Sequence, residues 1–331
     1  MNPVKDVVII GAGPAGIATA IHLKRCNIDP VVLEQNEVGG LLRNANWVEN
    51  YPGFPKGISG LHLRKLFKKQ LENIRIKVNF EKVQKLDFHP YHSSLSRRKC
   101  KEELFFTKTN RRVIVSNFAV IASGTKPKKI QDLHISNNIK DRIFHEIYPI
   151  RNIRNNKIAI IGAGDAAFDY ALTLSKRNEV LILNRRKQAK CIPLLIDRCQ
   201  KSKSIFYLKN VSIKEIKKGG KKLVLTCVSP PPHLLHQWGG NKRRKISLKD
   251  KVFQIYADYV VIAIGREPCL DFIGKSVENN FNNLMKKHRL YLVGDVKNEI
   301  YRQTAICVGD GVKAAMKIYQ TIKKGKNEDN R

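Results

Sequence analysis

Two glycine-rich turns carry the most specific chemistry in this 331-residue chain. The first reads Gly11-Ala12-Gly13-Pro14-Ala15-Gly16. It follows the apolar run Val7-Val8-Ile9-Ile10 and leads into Ile17 to Leu23, whose apolar residues recur at helical spacing. A G-x-G-x-x-G turn between a strand and a helix suits a dinucleotide. Gly11 allows the tight turn, Gly13 lets the backbone approach a pyrophosphate, and Gly16 lets the helix lie close to the strand. The free N–H groups opening the helix then face the phosphates. The next short strand, Pro30-Val31-Val32-Leu33, ends in Glu34, an acid suited to accept hydrogen bonds from an adenosine ribose.

The pattern recurs. Lys157 to Ile161 enter Gly162-Ala163-Gly164-Asp165-Ala166-Ala167, a G-x-G-x-x-A turn, and a helix through Ala171 and Leu174 follows. The strand after it, Glu179 to Leu183, ends in Asn184-Arg185-Arg186, with no acid. An acid would repel a 2′-phosphate, whereas guanidinium groups bind it in bidentate fashion. The second site therefore reads as one for NADPH. The alternative is that these arginines belong to a generally positive surface.

The elements that must position these turns also come in duplicate. Phe118 to Gly124 and Tyr259 to Gly265 are apolar strands ending in Ser123-Gly124 and Ile264-Gly265, and each follows a set of short alternating strands. Each half is thus a nucleotide-binding unit, a small meander and a closing strand. A third segment, Arg289 to Asp295, is a strand ending in Gly294-Asp295. A helix is expected from about Gly309 to Ile322, with a frayed polar tail from Lys323 to Arg331. At about 150 residues per domain the length fits two domains. The expected fold is α/β, with two Rossmann-like nucleotide-binding domains of three layers (ββα).

Together these residues resemble the low-molecular-weight thioredoxin reductase family of flavoproteins, over essentially the whole chain. The resemblance also draws on Gly39-Gly40-Leu41-Leu42, on Val48 to Pro55, and on Tyr301-Arg302-Gln303-Thr304. It implies an FAD domain (residues 1–124 and 266–331) interrupted by an NADPH domain (residues 125–265). Carried over by position, Gly11, Gly13, Pro14, Ala15 and Gly16 would hold the FAD pyrophosphate and Glu34 its ribose. Gly39, Gly40, Leu41 and Asn50 would line the flavin, Val83 would offer backbone to the adenine, and Asp295 would accept from the ribityl chain. Arg302, Gln303 and Thr304 would open the final helix beside flavin N1 and O2, where a helix N-terminus stabilises negative charge. Ser123, Gly124, Ile264 and Gly265 would form the crossovers. Gly162, Gly164, Asp165 and Ala166 would hold the NADPH pyrophosphate, and Asn184, Arg185, Arg186 and Lys190 its 2′-phosphate. Hydride would pass from NADPH to FAD N5.

One departure stands out. The family's redox C-x-x-C falls, counting back from Lys157, on His145-Glu146-Ile147-Tyr148, and the seven cysteines (26, 100, 191, 199, 227, 269 and 307) form no C-x-x-C anywhere. A dithiol relays two electrons to a protein disulfide by thiol–disulfide exchange. Without one, the flavin is expected to reduce its acceptor directly, as in the thioredoxin-reductase-like ferredoxin–NADP reductases, with an acidic carrier as partner. His145 and Tyr148 would supply a proton or a stacking wall there, or serve only as linker. Cys191 and Cys199 read as separate thiols. Two rival readings stand beside this one: a disulfide, quinone or other small-molecule reductase, and a non-catalytic flavin- or nucleotide-sensing module.

The composition sets the outer bounds. With 42% hydrophobic residues the chain can build a core, and no apolar stretch nears the ~20 residues a membrane helix needs. The N-terminus lacks signal-peptide architecture, so a cytoplasmic protein is expected, and the resemblance suggests a homodimer. Lys and Arg number 62 against 28 Asp and Glu, a net +34 that attracts anionic partners or reflects a biased genome. The local clusters Arg97 to Lys101 and Lys242 to Lys245 carry no interleaved aromatics. Nothing beyond charge therefore points to nucleic acid. No cysteine–histidine cluster has metal-ligand spacing, and no metal is expected.

Overall fold

The computed structural model describes residues 3–91, 102–130, 133–228 and 252–329. The basic clusters at 97–101 and 242–245 lie outside them. The chain forms two compact units, one of residues 1–43, 48–126 and 267–331, the other of residues 44–47 and 127–266.

The first unit opens with β1 (Lys5–Ile10), α1 (Pro14–Arg25), β2 (Val31–Glu34), α2 (Gly60–Asn73) and β3 (Val78–Phe80), then β4 (Val83–Tyr91), β5 (Glu102–Thr109) and β6 (Val113–Ile121). The chain leaves through β7 (Thr125–Pro127). It then forms β8 (His134–Ile135), β9 (Ile143–Phe144), β10 (Lys157–Ile161), α3 (Asp165–Leu174), β11 (Glu179–Asn184), α4 (Pro193–Gln200) and β12 (Ile205–Lys209). Next come β13 (Ser212–Gly219), β14 (Lys222–Val228), β15 (Val252–Ala257) and β16 (Tyr259–Ile262). The return runs through β17 (Arg266–Pro268) to α5 (Lys275–Lys286), β18 (Leu290–Leu292) and α6 (Thr304–Asp329).

In the first unit the sheet order is β3-β2-β1-β6-β5-β4, with β18 beside β6. Strands β3, β2, β1, β6 and β18 are parallel, while β6-β5-β4 is an antiparallel meander. The patterning explains this. Val7, Val8 and Ile9 of β1 and Ala119, Val120 and Ile121 of β6 are all fully buried, as strands covered on both faces must be.

The second unit has three layers. Its parallel sheet runs β12-β11-β10-β16-β9, and a second sheet runs β15-β14-β13-β8. Leu181, Leu183 and Val260 of the first meet Leu223, Leu225 and Ile255 of the second in one buried cluster. On the opposite face Ile158 and Ile160 pack with Phe168 and Ala171 of α3. The α/β expectation holds.

The last helix differs from its sequence reading. It begins at Thr304 rather than near Gly309, and it continues through the polar tail to Asp329. Gly309 and Gly311 lie inside it. A Cβ at Gly311 would run into the Ala15 carbonyl oxygen and come within 3.0 Å of Thr19 N, so α6 rests directly on the α1 backbone. Beyond that contact, Lys and Glu are good helix formers and nothing stops the turn. Gly311→Val should therefore force α1 and α6 apart and lower unfolding stability by about 1–3 kcal/mol. Gly309→Ala, whose Cβ would meet nothing within 4 Å, should leave the denaturant midpoint unchanged or raise it.

Candidate functional site

At the first glycine turn three strand ends meet. The Gly11 N–H donates to the Leu33 carbonyl at 2.7 Å, and the Ala122 N–H donates to the Ile10 carbonyl at 2.8 Å. Gly11 has φ +108°, and a Cβ there would strike the Ala122 carbonyl oxygen. A Cβ on Gly16 would strike the Gly11 carbonyl in turn, so α1 can start this close to the sheet only with glycine. Gly13 is the opposite case, with nothing within 4 Å of where its Cβ would be. Pro14 and Ala15 open α1 behind it. Crowding at Gly11 and Gly16 with open space at Gly13 fits a dinucleotide pyrophosphate over the helix N-terminus.

Glu34 does more than wait for a ribose. Its Oε2 accepts from the Ala12 N–H at 2.8 Å and its Oε1 from the Asn36 N–H at 2.9 Å. The acid thereby braces the turn, and its remaining lone pairs are open to ribose hydroxyls. The Gly39-Gly40-Leu41 segment is drawn onto the same turn by Gly39 N–H to the Ala12 carbonyl at 2.7 Å. Arg64 of α2 supports that segment from below, with Nε donating to the Val38 carbonyl at 2.8 Å and the guanidinium paired with Glu37. A Cβ on Gly40 would lie 3.3 Å from Gly13 Cα.

Distant parts of the same unit close the site. A Cβ on Gly294 would come within 2.8 Å of Ala15 Cβ and 3.2 Å of Cys307 Sγ. This puts the Gly294-Asp295 turn and the first turns of α6 beside the start of α1. Asn50 Nδ2 donates to Gln303 Oε1 at 2.8 Å, just ahead of Thr304, with half-buried Arg302 next to it. Ser123 Oγ donates to the Cys269 carbonyl at 2.6 Å, and the Cys269 N–H returns to the Gly124 carbonyl at 3.1 Å. Val83 stands at the head of β4, opposite Thr109.

The second turn repeats the strand-end bonds of the first. Gly162 N–H reaches the Leu183 carbonyl at 2.9 Å and Ala263 N–H the Ile161 carbonyl at 2.8 Å. A Cβ at Gly162, φ +126°, would strike the Ala263 carbonyl. Lys190 N–H meets the Ala163 carbonyl at 2.9 Å, in the role that Gly39 has at the first turn. Gly164 precedes exposed Asp165 and Ala166, which start α3; Asp165 Oδ1 accepts from the Ile192 N–H at 2.9 Å. Arg185, Arg186 and Lys190 are exposed, as are Ile264 and Gly265 after β16.

Asn184 behaves differently from the arginines beside it. It is 5% exposed. Its Nδ2 donates to the Gln188 carbonyl and to Tyr207 Oη, and its Oδ1 accepts from the Arg186 N–H at 3.0 Å. Its side chain shapes the loop that carries the two guanidiniums. The sequence signal for this was present only in retrospect, because Asn184 ends its strand as Glu34 ends β2.

The stretch at the expected dithiol position is held by polar side chains. Glu146 Oε1 pairs with Arg266 at 3.3 Å and Glu146 Oε2 accepts from Asn44 Nδ2 at 3.1 Å. Asn44 Oδ1 accepts from the Tyr148 N–H at 3.0 Å. Burial pulls the His145 imidazole below its ordinary value against a bond to the Ile262 backbone. The ring is therefore neutral at pH 7, which suits a wall or an acceptor better than a ready acid.

The thiols are equally inert. Cys191 and Cys199 are pushed up to about 12 by burial and then by Asp165 and Asp169 respectively, and Cys227 reaches about 12 by burial alone. A thiol so far above ambient pH is a poor partner for disulfide exchange. Among the described residues no cluster of His, Cys, Asp or Glu could hold a metal ion, and no helix is long and apolar enough to cross a membrane.

Asp169 of α3 fastens residues 44–47 to the second unit. Its Oδ2 accepts from the Asn46 N–H at 2.8 Å, and it also takes the Trp47 N–H. Burial lifts its carboxyl from 3.8 to about 6, against the lowering effect of those bonds and of Arg151 and Lys176. Below pH 3.8 the folded and unfolded chains both hold the proton. Between 3.8 and about 6 only the folded chain keeps it, so this contribution, roughly 3 kcal/mol, is lost as pH rises through that window. Asp169→Asn should flatten the stability slope between those pH values, read from urea midpoints.

Comparison with known proteins agrees with this geometry. Residues 5–311 match the pyridine nucleotide-disulphide oxidoreductase family. The chain is 29% identical to thioredoxin reductase of Debaryomyces hansenii, covering 94% of this chain and 95% of that one. It is 26% identical to thioredoxin reductase of Borreliella burgdorferi, covering 97% and 93%. In structure it resembles Lactococcus lactis thioredoxin reductase in its FR conformation, with a TM-score of 0.77 at 24% identity over 97% of this chain and 99% of that one. Bacillithiol disulfide reductase of Staphylococcus aureus shares the fold at a TM-score of 0.68 and 18% identity, covering 98% and 100%. With two dinucleotide turns of matching construction and a family match over nearly its whole length, the chain belongs to the pyridine nucleotide-disulphide oxidoreductases, thioredoxin-reductase-like enzymes that use FAD and NADPH.

Proposed function

We propose that this enzyme passes electrons from NADPH through FAD directly to an acidic electron-carrier protein of the ferredoxin or flavodoxin kind, with no protein dithiol between. One observation carries the reading. The position of the expected C-x-x-C is filled by His145-Glu146-Ile147-Tyr148, tied down by Asn44 and Arg266. The net charge of +34 supports an acidic partner, because complementary charge speeds encounter.

FAD, when bound, supplies the two-electron chemistry, taking hydride from the nicotinamide and giving up electrons to the acceptor. The chain's own residues bind and orient. The turn at Gly11 to Gly16 and the N-terminus of α1 would hold the flavin dinucleotide's pyrophosphate, and Glu34 its ribose. The opening N–H groups of α6 would offset negative charge developing on the ring. Gly162 to Ala166 would hold the second pyrophosphate, and Arg185, Arg186 and Lys190 would clamp a 2′-phosphate. A second reading, reduction of a small disulfide at the flavin itself, is favoured by the disulphide chemistry for which the family is named.

A panel assay separates the two. The purified protein should show flavin absorbance that bleaches anaerobically with NADPH, and NADPH oxidation should accelerate with ferredoxin or flavodoxin and weaken as salt rises. Turnover with small disulfides but none with either carrier would refute the proposed acceptor. Replacing Arg185 and Arg186 together with alanine should raise KM for NADPH roughly 10–100-fold, the worth of a charged hydrogen-bond pair, and leave KM for NADH nearly unchanged. Equal effects on both coenzymes would show that these side chains do not read the phosphate.

A further inference from the structure

We propose that Cys307 is a positioning residue for the flavin site, its thiol holding the Asp295 carboxylate in the orientation that accepts a ribityl hydroxyl. The proposal rests on the FAD reading of Asp295 given above. Asp295 lies in the short turn Gly294–Val296 that follows β18. Cys307, one turn into α6, donates its S–H to Asp295 Oδ1 at 3.1 Å, and its sulfur also accepts from the Asp295 backbone N–H. The thiol thus grips both ends of one residue. Oδ2 of the carboxylate is left for a ligand.

Three further observations make this a built arrangement. Cys307 is 5% exposed, and burial together with the charges of Asp295 and Asp310 keeps it protonated, so it acts as a donor and not as a thiolate. Asp310, three residues on along the same helix, reaches the same turn. It accepts from the Gly294 N–H at 3.1 Å and from Asn298 Nδ2 at 2.6 Å, and it pairs with Lys297 at 2.8 Å. Asp310 fixes the backbone of the turn while Cys307 fixes its side chain. Gly294, at φ +76°, lets the turn close, since a Cβ there would crowd both Cys307 Sγ and Ala15.

The test uses the full-length holoprotein carrying Cys307→Ala or Cys307→Ser. FAD release on dilution is followed by flavin fluorescence, the unfolding midpoint by circular dichroism, and the S–H stretch by infrared spectroscopy. Cys307→Ala should release FAD about tenfold more readily or worse, consistent with losing a hydrogen bond to a charged group, and in excess FAD its stability should fall by no more than the ~1.4 kcal/mol that tenfold weaker binding itself removes. Cys307→Ser, which retains a donor, should recover most of the affinity. In the wild-type protein the S–H band lost in Cys307→Ala should shift in Asp295→Asn. Equal FAD retention in the alanine variant would overturn the proposal, as would a fall in stability well beyond that linked to the weaker FAD binding. If the alanine variant does not fold, an S–H band indifferent to Asp295→Asn overturns it. Wild-type protein that binds no FAD at all would instead sink the FAD reading on which the proposal stands.

Discussion

Both nucleotide sites depend on one close approach, between a glycine α-carbon and the carbonyl oxygen just beyond the neighbouring strand. At Gly11 the neighbour is Ala122, and at Gly162 it is Ala263. Because each glycine also donates to the end of the next strand (Leu33 and Leu183), three strand ends converge on a single residue. Any side chain at that point would separate the central pair of strands and break the Ala122–Ile10 or Ala263–Ile161 bond that completes the junction. The helix that follows inherits its position from this junction. Its unpaired N–H groups end up over the C-terminal edge of the parallel sheet, where an anion is best received.

The cysteines stand apart from this shared framework. Six of the seven cysteines lie among the described residues, and none of these six is in a disulfide. The buried ones sit among carboxylates or apolar side chains that keep them protonated. Cys307 uses that protonation as a hydrogen-bond donor to Asp295. A chain can be rich in thiols and still hold several of them unreactive, because reactivity follows environment more than count.

Much of this was legible in the sequence wherever a residue's role follows from its own type. Glycine turns, apolar closing strands and Glu34 at a strand end announce themselves, and the two-unit plan follows from their repetition. What stayed hidden depends on partners far away in the chain. Residues 44–47 interrupt the first unit because Asp169, more than a hundred residues on, takes their N–H groups. The bond from Cys307 to Asp295 requires a turn and a helix to meet face to face. The need for a glycine inside α6 is hidden in the same way, because only the contact with Ala15 shows why position 311 carries no side chain.

The ends of β2 and β11 deserve comparison on their own. Glu34 accepts from the N–H two residues on, and so does Asn184, at 2.9 and 3.0 Å. The chain just after each strand is therefore braced once by a charged carboxylate and once by a shorter, neutral amide. Glu34 reaches further, to the Ala12 N–H of its glycine turn, whereas Asn184 turns its amide to Gln188 and Tyr207. A carboxylate at such a strand end repels a phosphate, while a neutral amide in its place leaves the electrostatic sign to the side chains that follow it.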